Sequence, residues 1–133
     1  VNDIDLLNNF HHALKKNGLI ILNVPAFEIL KRKHDIVVKS KRRYRRNILS
    51  KELKKIGFDI TLSTYRYPYL FFIILLKKAI SSFSTIKPSS DLKAIPNWIN
   101  KIFILIGEIE NRIILSKITI PLGSSLFIVA KKK

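Results

Sequence analysis

Leu14-Lys15-Lys16-Asn17-Gly18-Leu19-Ile20-Ile21-Leu22-Asn23-Val24-Pro25-Ala26 carries a helix end, a turn and an apolar strand in thirteen residues. Ahead of it, Ile4, Leu7, Phe10 and Leu14 recur at helical spacing between Asp3 and Lys16, with acids in the first turn and lysines in the last, an order that suits the helix dipole. Asn17-Gly18 predicts the helix stop. Leu19 to Val24 is then a continuous apolar run closed by Pro25, which predicts a strand buried on both faces of a mostly parallel sheet. Helix, turn and buried strand in that order predict an α/β chain.

Residues 26–48 are irregular and very basic, and Ser50 is the expected N-cap of a short helix through Ile56 that stops at Gly57. Phe58, Ile60 and Leu62 alternate with Asp59, Thr61 and Ser63, so a second strand follows and Pro68 closes it. The apolar segment Tyr69 to Ile80 predicts a helix by its length, and Ser81 to Pro96 a loop or linker. Ile99, Ile102, Phe103, Ile106, Ile109 and Ile113 predict a long helix from about Asn97 to Ser116. After the Pro121-Leu122-Gly123 turn, Leu126, Ile128 and Ala130 alternate with Phe127 and Val129 as a final strand. No internal repeat occurs, and 133 residues suit one domain with one core.

The formal charge of +16 points to an acidic partner, either nucleic acid or an anionic membrane surface, and the excess is uneven. Twelve Lys or Arg lie between Lys31 and Lys55 against Asp35 and Glu52. The abundance of Ile, Lys and Asn equally reads as a compositional habit that inflates surface lysine. With no cysteine, disulfides and thiolate metal sites are excluded, and a cytoplasmic setting is the expectation. The chain has no methionine, not even at position 1, which predicts a start inside a longer reading frame. No secretory signal opens it, and its apolar runs fall far short of the roughly 20 residues of a spanning helix.

Three groups of motifs carry a resemblance. Leu14 to Ala26 resembles an "LKPGGxLxLxVPA" segment in which a helix hands over to the fifth strand of a seven-stranded sheet. His34-Asp35, Lys41-Arg42-Arg43-Tyr44 and Leu49 resemble "HDxxxGHxRRYxxxxL", and Leu53 to Phe58 is similar to "LxxxGF" ahead of the sixth strand. Pro96, Asn100, Glu110, Pro121, Gly123, Ser125, Leu126, Val129, Ala130 and Lys131 resemble the ending "P…N…E…PxGxSLxxVAxK". On these residues the chain resembles the carboxy-terminal half of a class I S-adenosylmethionine-dependent methyltransferase, of the bacterial type 11/12-like subgroup. Lys39-Ser40 stands where that subgroup has Gly-His, and Asn17 where it has the first glycine of the turn.

The resemblance implies an incomplete Rossmann-like fold whose last strand is antiparallel, with a helical insertion over residues 67–118. It implies methyl transfer from S-adenosylmethionine to a small-molecule acceptor, anionic or linked to lipid or sugar, as part of a longer chain. The cofactor-binding half is missing: the four glycines, Gly18, Gly57, Gly107 and Gly123, are far apart, and no G-x-G occurs. Only Asp3 and Asp5 remain as candidates at the cofactor's edge. Asn23 and Pro25, with Ala26, are expected at the cleft, because ligands of open α/β sheets sit beyond the carboxyl ends of the strands.

His34-Asp35 is the candidate catalytic pair, a base with an orienting carboxylate, and its bland alternative is a pair that fixes a loop. Arg42, Arg43 and Tyr44 are candidates for binding a phosphorylated or lipid-linked acceptor, since guanidinium forks grip phosphate bidentately. The same residues read alternatively as a single-strand nucleic-acid contact with Tyr44 stacking on a base, or as a solvated basic face. A metal hydrolase using His12, His34, Asp35 and Asp91 is the rival enzyme class, and no metal is expected on the preferred reading. The non-catalytic alternative is a basic module that binds nucleic acid or a membrane surface. Tyr69 to Ile80 and the Trp98 helix are expected to pack on the sheet, with peripheral contact to a membrane as their other use.

Overall fold

The computed structural model describes residues 2–31, 42–81 and 96–133. Helix α1 spans Asp3–Ala13 and is followed by strand β1, Leu19–Pro25, and a single 3-10 turn at Glu28–Leu30. Helix α2 is Arg46–Ile56, strand β2 Phe58–Arg66, helix α3 Pro68–Ser81, helix α4 Asn97–Leu115 and strand β3 Ser125–Lys132. The chain is therefore mixed α/β, with both α3 and α4 between β2 and β3.

The three strands form one sheet in the order β1-β3-β2. β3 runs antiparallel to both neighbours, from Leu19 opposite Lys131 to Pro25 opposite Ser125 on one side, and from Phe58 opposite Lys132 to Arg66 opposite Ser125 on the other. β1 and β2 consequently point the same way without touching. Both ladders are antiparallel, which corrects the expectation of a mostly parallel sheet.

One face of the sheet carries the core. Leu7 of α1 and Leu49 and Leu53 of α2 pack with Ile20, Phe58, Tyr65, Leu126, Ile128 and Ala130. Full burial of side chains such as Leu53, Phe58 and Leu126 contributes about 1.5 to 3 kcal/mol each before the entropy of ordering is counted. β1 was expected to be buried on both faces, but exposure alternates along it and Ile21 is 64% exposed. The reason is its position: among the described strands β1 is an edge, and α1 and α2 cover only the face that holds Ile20.

The turn before β1 uses Asn17 in the left-handed region at φ 66°. Asparagine tolerates that conformation at small cost, so the missing first glycine of the motif leaves the turn intact. Gly18 answers a different need, since a Cβ there would stand 2.8 Å from the Lys15 carbonyl oxygen. The expected N-cap of α2 is corrected. Helix α2 begins at Arg46, so Ser50 lies inside it and its hydroxyl sits 3.4 Å from that of Ser63. The helix start is satisfied from the sheet instead, where the Tyr65 hydroxyl accepts from the Arg46 N–H at 2.9 Å.

That contact depends on a bulge. The register of β2 against β3 shifts between Ile60 and Leu62, so Leu62 stands opposite Val129, while Ser63 and Tyr65 stand opposite the core residues Ile128 and Leu126. The strict alternation read from sequence would have put Leu62 on the helix-covered face.

The end of β2 is tied to α4 by Glu110, which is 3% exposed. Its carboxylate accepts from Arg66 Nε and from the Tyr67 N–H, both at 3.0 Å, and Arg66 also reaches Asn111. Tyr67 itself is held at φ 58°. Removing one partner of a buried pair leaves the other charge uncompensated, at a cost of about 3 kcal/mol or more. Glu110→Ala should therefore lower the free energy of unfolding, measured by urea titration, by about that amount and Glu110→Gln by less. An alanine variant as stable as the parent would remove Glu110 from its role as the tie.

Candidate substrate-binding site

The carboxyl end of β1 does not stop at Pro25. Residues 42–44 run beside it, so that the Tyr44 N–H donates to the Pro25 carbonyl at 2.8 Å and the Phe27 N–H to the Tyr44 carbonyl at 3.2 Å. Ala26 and Tyr44 form a parallel bridge, and Ala26 is fully buried with its N–H on the Ser124 carbonyl at 3.0 Å. Two segments separated by the basic stretch thus share backbone hydrogen bonds.

Side chains fix the same junction. Arg43 donates from Nη1 to the Ala26 carbonyl at 3.0 Å, and its main-chain N–H donates to Glu28 Oε1 at 2.8 Å. The Tyr44 hydroxyl donates to Asp3 Oδ2 at 2.6 Å. Arg42 approaches the same carboxylate oxygen at 3.8 Å and lies 5.7 Å from the centre of the Tyr44 ring. Burial first, and then the hydrogen bond to Asp3, push the Tyr44 phenol up to about 12. The Arg43 N–H is the main cause that holds Glu28 below the usual carboxylate range, helped by Lys31.

Two open depressions flank the Arg42–Tyr44 ridge. One, of about 210 Å³, is lined by Glu28, Arg42, Arg43, Tyr44, Arg45 and Ile48. The other, of about 130 Å³, lies on the α1 side and includes Asp3, Leu7 and Glu52. Only the first is cationic, with Arg42, Arg43 and Arg45 against Glu28, and it suits an anionic group held at the surface; the second sets Arg42 against Asp3 and Glu52.

The candidates from sequence separate into groups. Pro25, Arg42, Arg43, Tyr44 and Asp3 come together at this junction, whereas Asn23 stands on the exposed side of β1 opposite Phe127, and Asp5 is exposed on α1. Asp3, read as a cofactor contact, instead binds Tyr44 and Arg42. His34, Asp35 and Asp91 lie outside the described residues. His11 packs edge-on to Phe58 at 5.0 Å beside Gly57, and His12 is exposed. Among the described residues no three His, Asp or Glu side chains converge as metal ligands. Sequence reasoning missed Glu28, although a signal existed: it is the sole carboxylate between Asp5 and Asp35.

In comparison with known proteins, no family model matches the chain, and no curated protein or solved structure matches it significantly.

A neutral Tyr44 is the form that donates to Asp3, so the stability it contributes is fully present below pH 10 and is lost as pH rises through about 12. In an alkaline titration followed by phenolate absorbance, the component that disappears in Tyr44→Phe should be one ionising near 12. The same variant should lose about 1 kcal/mol at neutral pH, one hydrogen bond at a partly exposed site. A lost component centred at pH 10 would contradict the contact.

Proposed function

We propose that the chain is the carboxy-terminal half of a class I S-adenosylmethionine-dependent methyltransferase, with a Rossmann-like parent fold, and that the Arg42–Tyr44 ridge receives an anionic acceptor such as a phosphate group on a lipid or sugar carrier. The observation that carries the reading is the backbone pairing of Pro25, Ala26 and Phe27 with Tyr44. Pro25 and Ala26 belong to one motif of the resemblance and Tyr44 to another, and their meeting at the carboxyl end of a strand is where an α/β sheet receives ligand. An antiparallel last strand between two strands that point the same way supports it further.

The described residues do not fit the cofactor. Gly18, Gly57 and Gly123 serve a turn, a helix end at φ 113° and a close approach to the Arg66 backbone, rather than a phosphate- or nucleoside-cradling loop. The Asp3 carboxylate is engaged by Tyr44 and Arg42. No step of the reaction is therefore given to these residues beyond holding the acceptor. Transfer of a methyl group from a sulfonium rests largely on orientation, and fixing an anionic handle is a contribution that arginines make well.

Within that role the two arginines differ. Arg43 is tied to the Ala26 carbonyl and shapes the ridge, whereas Arg42 is more than half exposed and presents its guanidinium beside an aromatic face. The acceptor's anion accordingly belongs to Arg42.

Calorimetric titration of the 133-residue chain with S-adenosylmethionine should give weak binding or none, and micromolar affinity would overturn the loss of the cofactor site. In an enzyme that includes the preceding half, Arg42→Lys should keep the charge and the melting temperature but lower kcat/KM about ten- to a hundredfold, the loss of one charge-assisted bidentate contact. Arg43→Lys should lower the melting temperature as well. An unchanged kcat/KM for Arg42→Lys would reject the clamp, since an exposed ion pair is worth only about 0 to 1 kcal/mol.

A further inference from the structure

Helices α3 and α4 are expected from sequence to pack their apolar residues on the sheet, but α3 rests on Phe27 and the 3-10 turn and α4 on Tyr69 and the end of β2, and only one side of each is covered. On α3, Phe71 turns inward to meet Phe27 edge-on at 5.4 Å, and Lys78 donates to the Ile29 carbonyl at 2.9 Å. The opposite side carries Phe72, Ile73, Leu76 and Ile80, all exposed, with Leu76 at 62%. On α4, Phe103 stacks on Tyr69 at 5.5 Å, while Glu110 and Ile114 are buried. Its outward side carries Trp98, Ile102, Leu105 and Ile109, with Trp98 at 65%. Steps of four, three and four residues make those four a single stripe along the helix. Lys101, Glu108 and Arg112 fall along one margin of that stripe, all exposed, two cations against one carboxylate.

Single exposed apolar residues are ordinary, but rows of large apolar side chains on two touching helices are an interaction surface. Charge decides what occupies it. The chain carries 25 Lys and Arg against 9 Asp and Glu, so apposition of two copies brings like charges together. A basic chain whose α3 row is flanked by exposed Lys77 and whose α4 row carries Lys101 and Arg112 against the single carboxylate Glu108 on its margin complements a surface that is apolar within and anionic at its rim. Phospholipid headgroups above acyl chains have that composition, and indole groups concentrate at the same depth. No described helix is long and apolar enough to cross a membrane, so the contact is one of lying on the surface.

We propose that the outward rows of α3 (Phe72, Ile73, Leu76, Ile80) and α4 (Trp98, Ile102, Leu105, Ile109) dock the protein on an anionic phospholipid bilayer, with Lys101 and Arg112 meeting the headgroup phosphates. The inference does not depend on the methyl-transfer reading.

Trp98 is the sole tryptophan, so its emission reports the event directly. With vesicles of phosphatidylcholine containing phosphatidylglycerol, the emission should shift to the blue, the protein should co-sediment, and both effects should fade as salt rises. Lys101→Gln and Arg112→Gln should each weaken partitioning about fivefold, the effect of one interfacial charge. Leu76→Ser and the pair Leu105→Ser, Ile109→Ser alter exposed positions and should leave the melting temperature unchanged while reducing the bound fraction. Co-sedimentation without any change in Trp98 emission would overturn the proposal, because the basic surface would then bind elsewhere. A lipid-free dimer by light scattering with Trp98 already shifted would also overturn it, in favour of a second copy.

Discussion

Everything in the described structure depends on β3 satisfying its backbone groups on both sides. β1 and β2 are not paired with each other, and the two antiparallel ladders of Ser125–Lys132 join them into one sheet. A buried peptide group without a partner is costly, so a central strand with two complete ladders is a strong constraint on its neighbours' register. Leu126, Ile128 and Ala130, all fully buried, then fix which face turns towards α1 and α2, because a one-residue slip would exchange them for Phe127 and Val129.

That constraint also builds the site. Because β1 and β2 point the same way, the carboxyl ends of both lie at the start of β3, where Ser124 and Ser125 meet Ala26, Pro25 and Arg66. The Ala26 N–H binds the Ser124 carbonyl and its carbonyl binds Arg43, so the Arg42–Tyr44 ridge rests on the strand that organises the sheet. The Tyr65 hydroxyl bonds the Arg46 N–H, which fixes the start of α2 just beyond the ridge. Glu110 holds the far end of β2 and so positions α4, whose outward row is the surface argued to meet lipid.

The local patterns were legible in the sequence and the long-range ones were not. Helical spacing from Ile4 to Leu14 and from Ile99 to Ile113, and the apolar runs at Leu19 and Leu126, are local signals, and each marks a real element. The two-faced burial of β1 was misread because a continuous apolar run says what a strand tolerates and not whether anything covers it. The bulge after Ile60 and the capping of α2 by Tyr65 are tertiary, and no spacing rule announces them. At the site, the arginines and Tyr44 stood out as a motif. The engagement of Asp3 with a residue 41 positions away, and the division of labour between Arg42 and Arg43, required coordinates.

The claim that Arg42 is the anion receptor and Arg43 its support meets its most direct test in the arginine side-chain NMR signals during titration with a phosphate monoester. Arg42 should shift in a saturable manner while Arg43, hydrogen-bonded to the Ala26 carbonyl, moves little. Equal, unsaturating shifts of every exposed arginine, or none at Arg42, would contradict the account and leave the ridge as a solvated basic face.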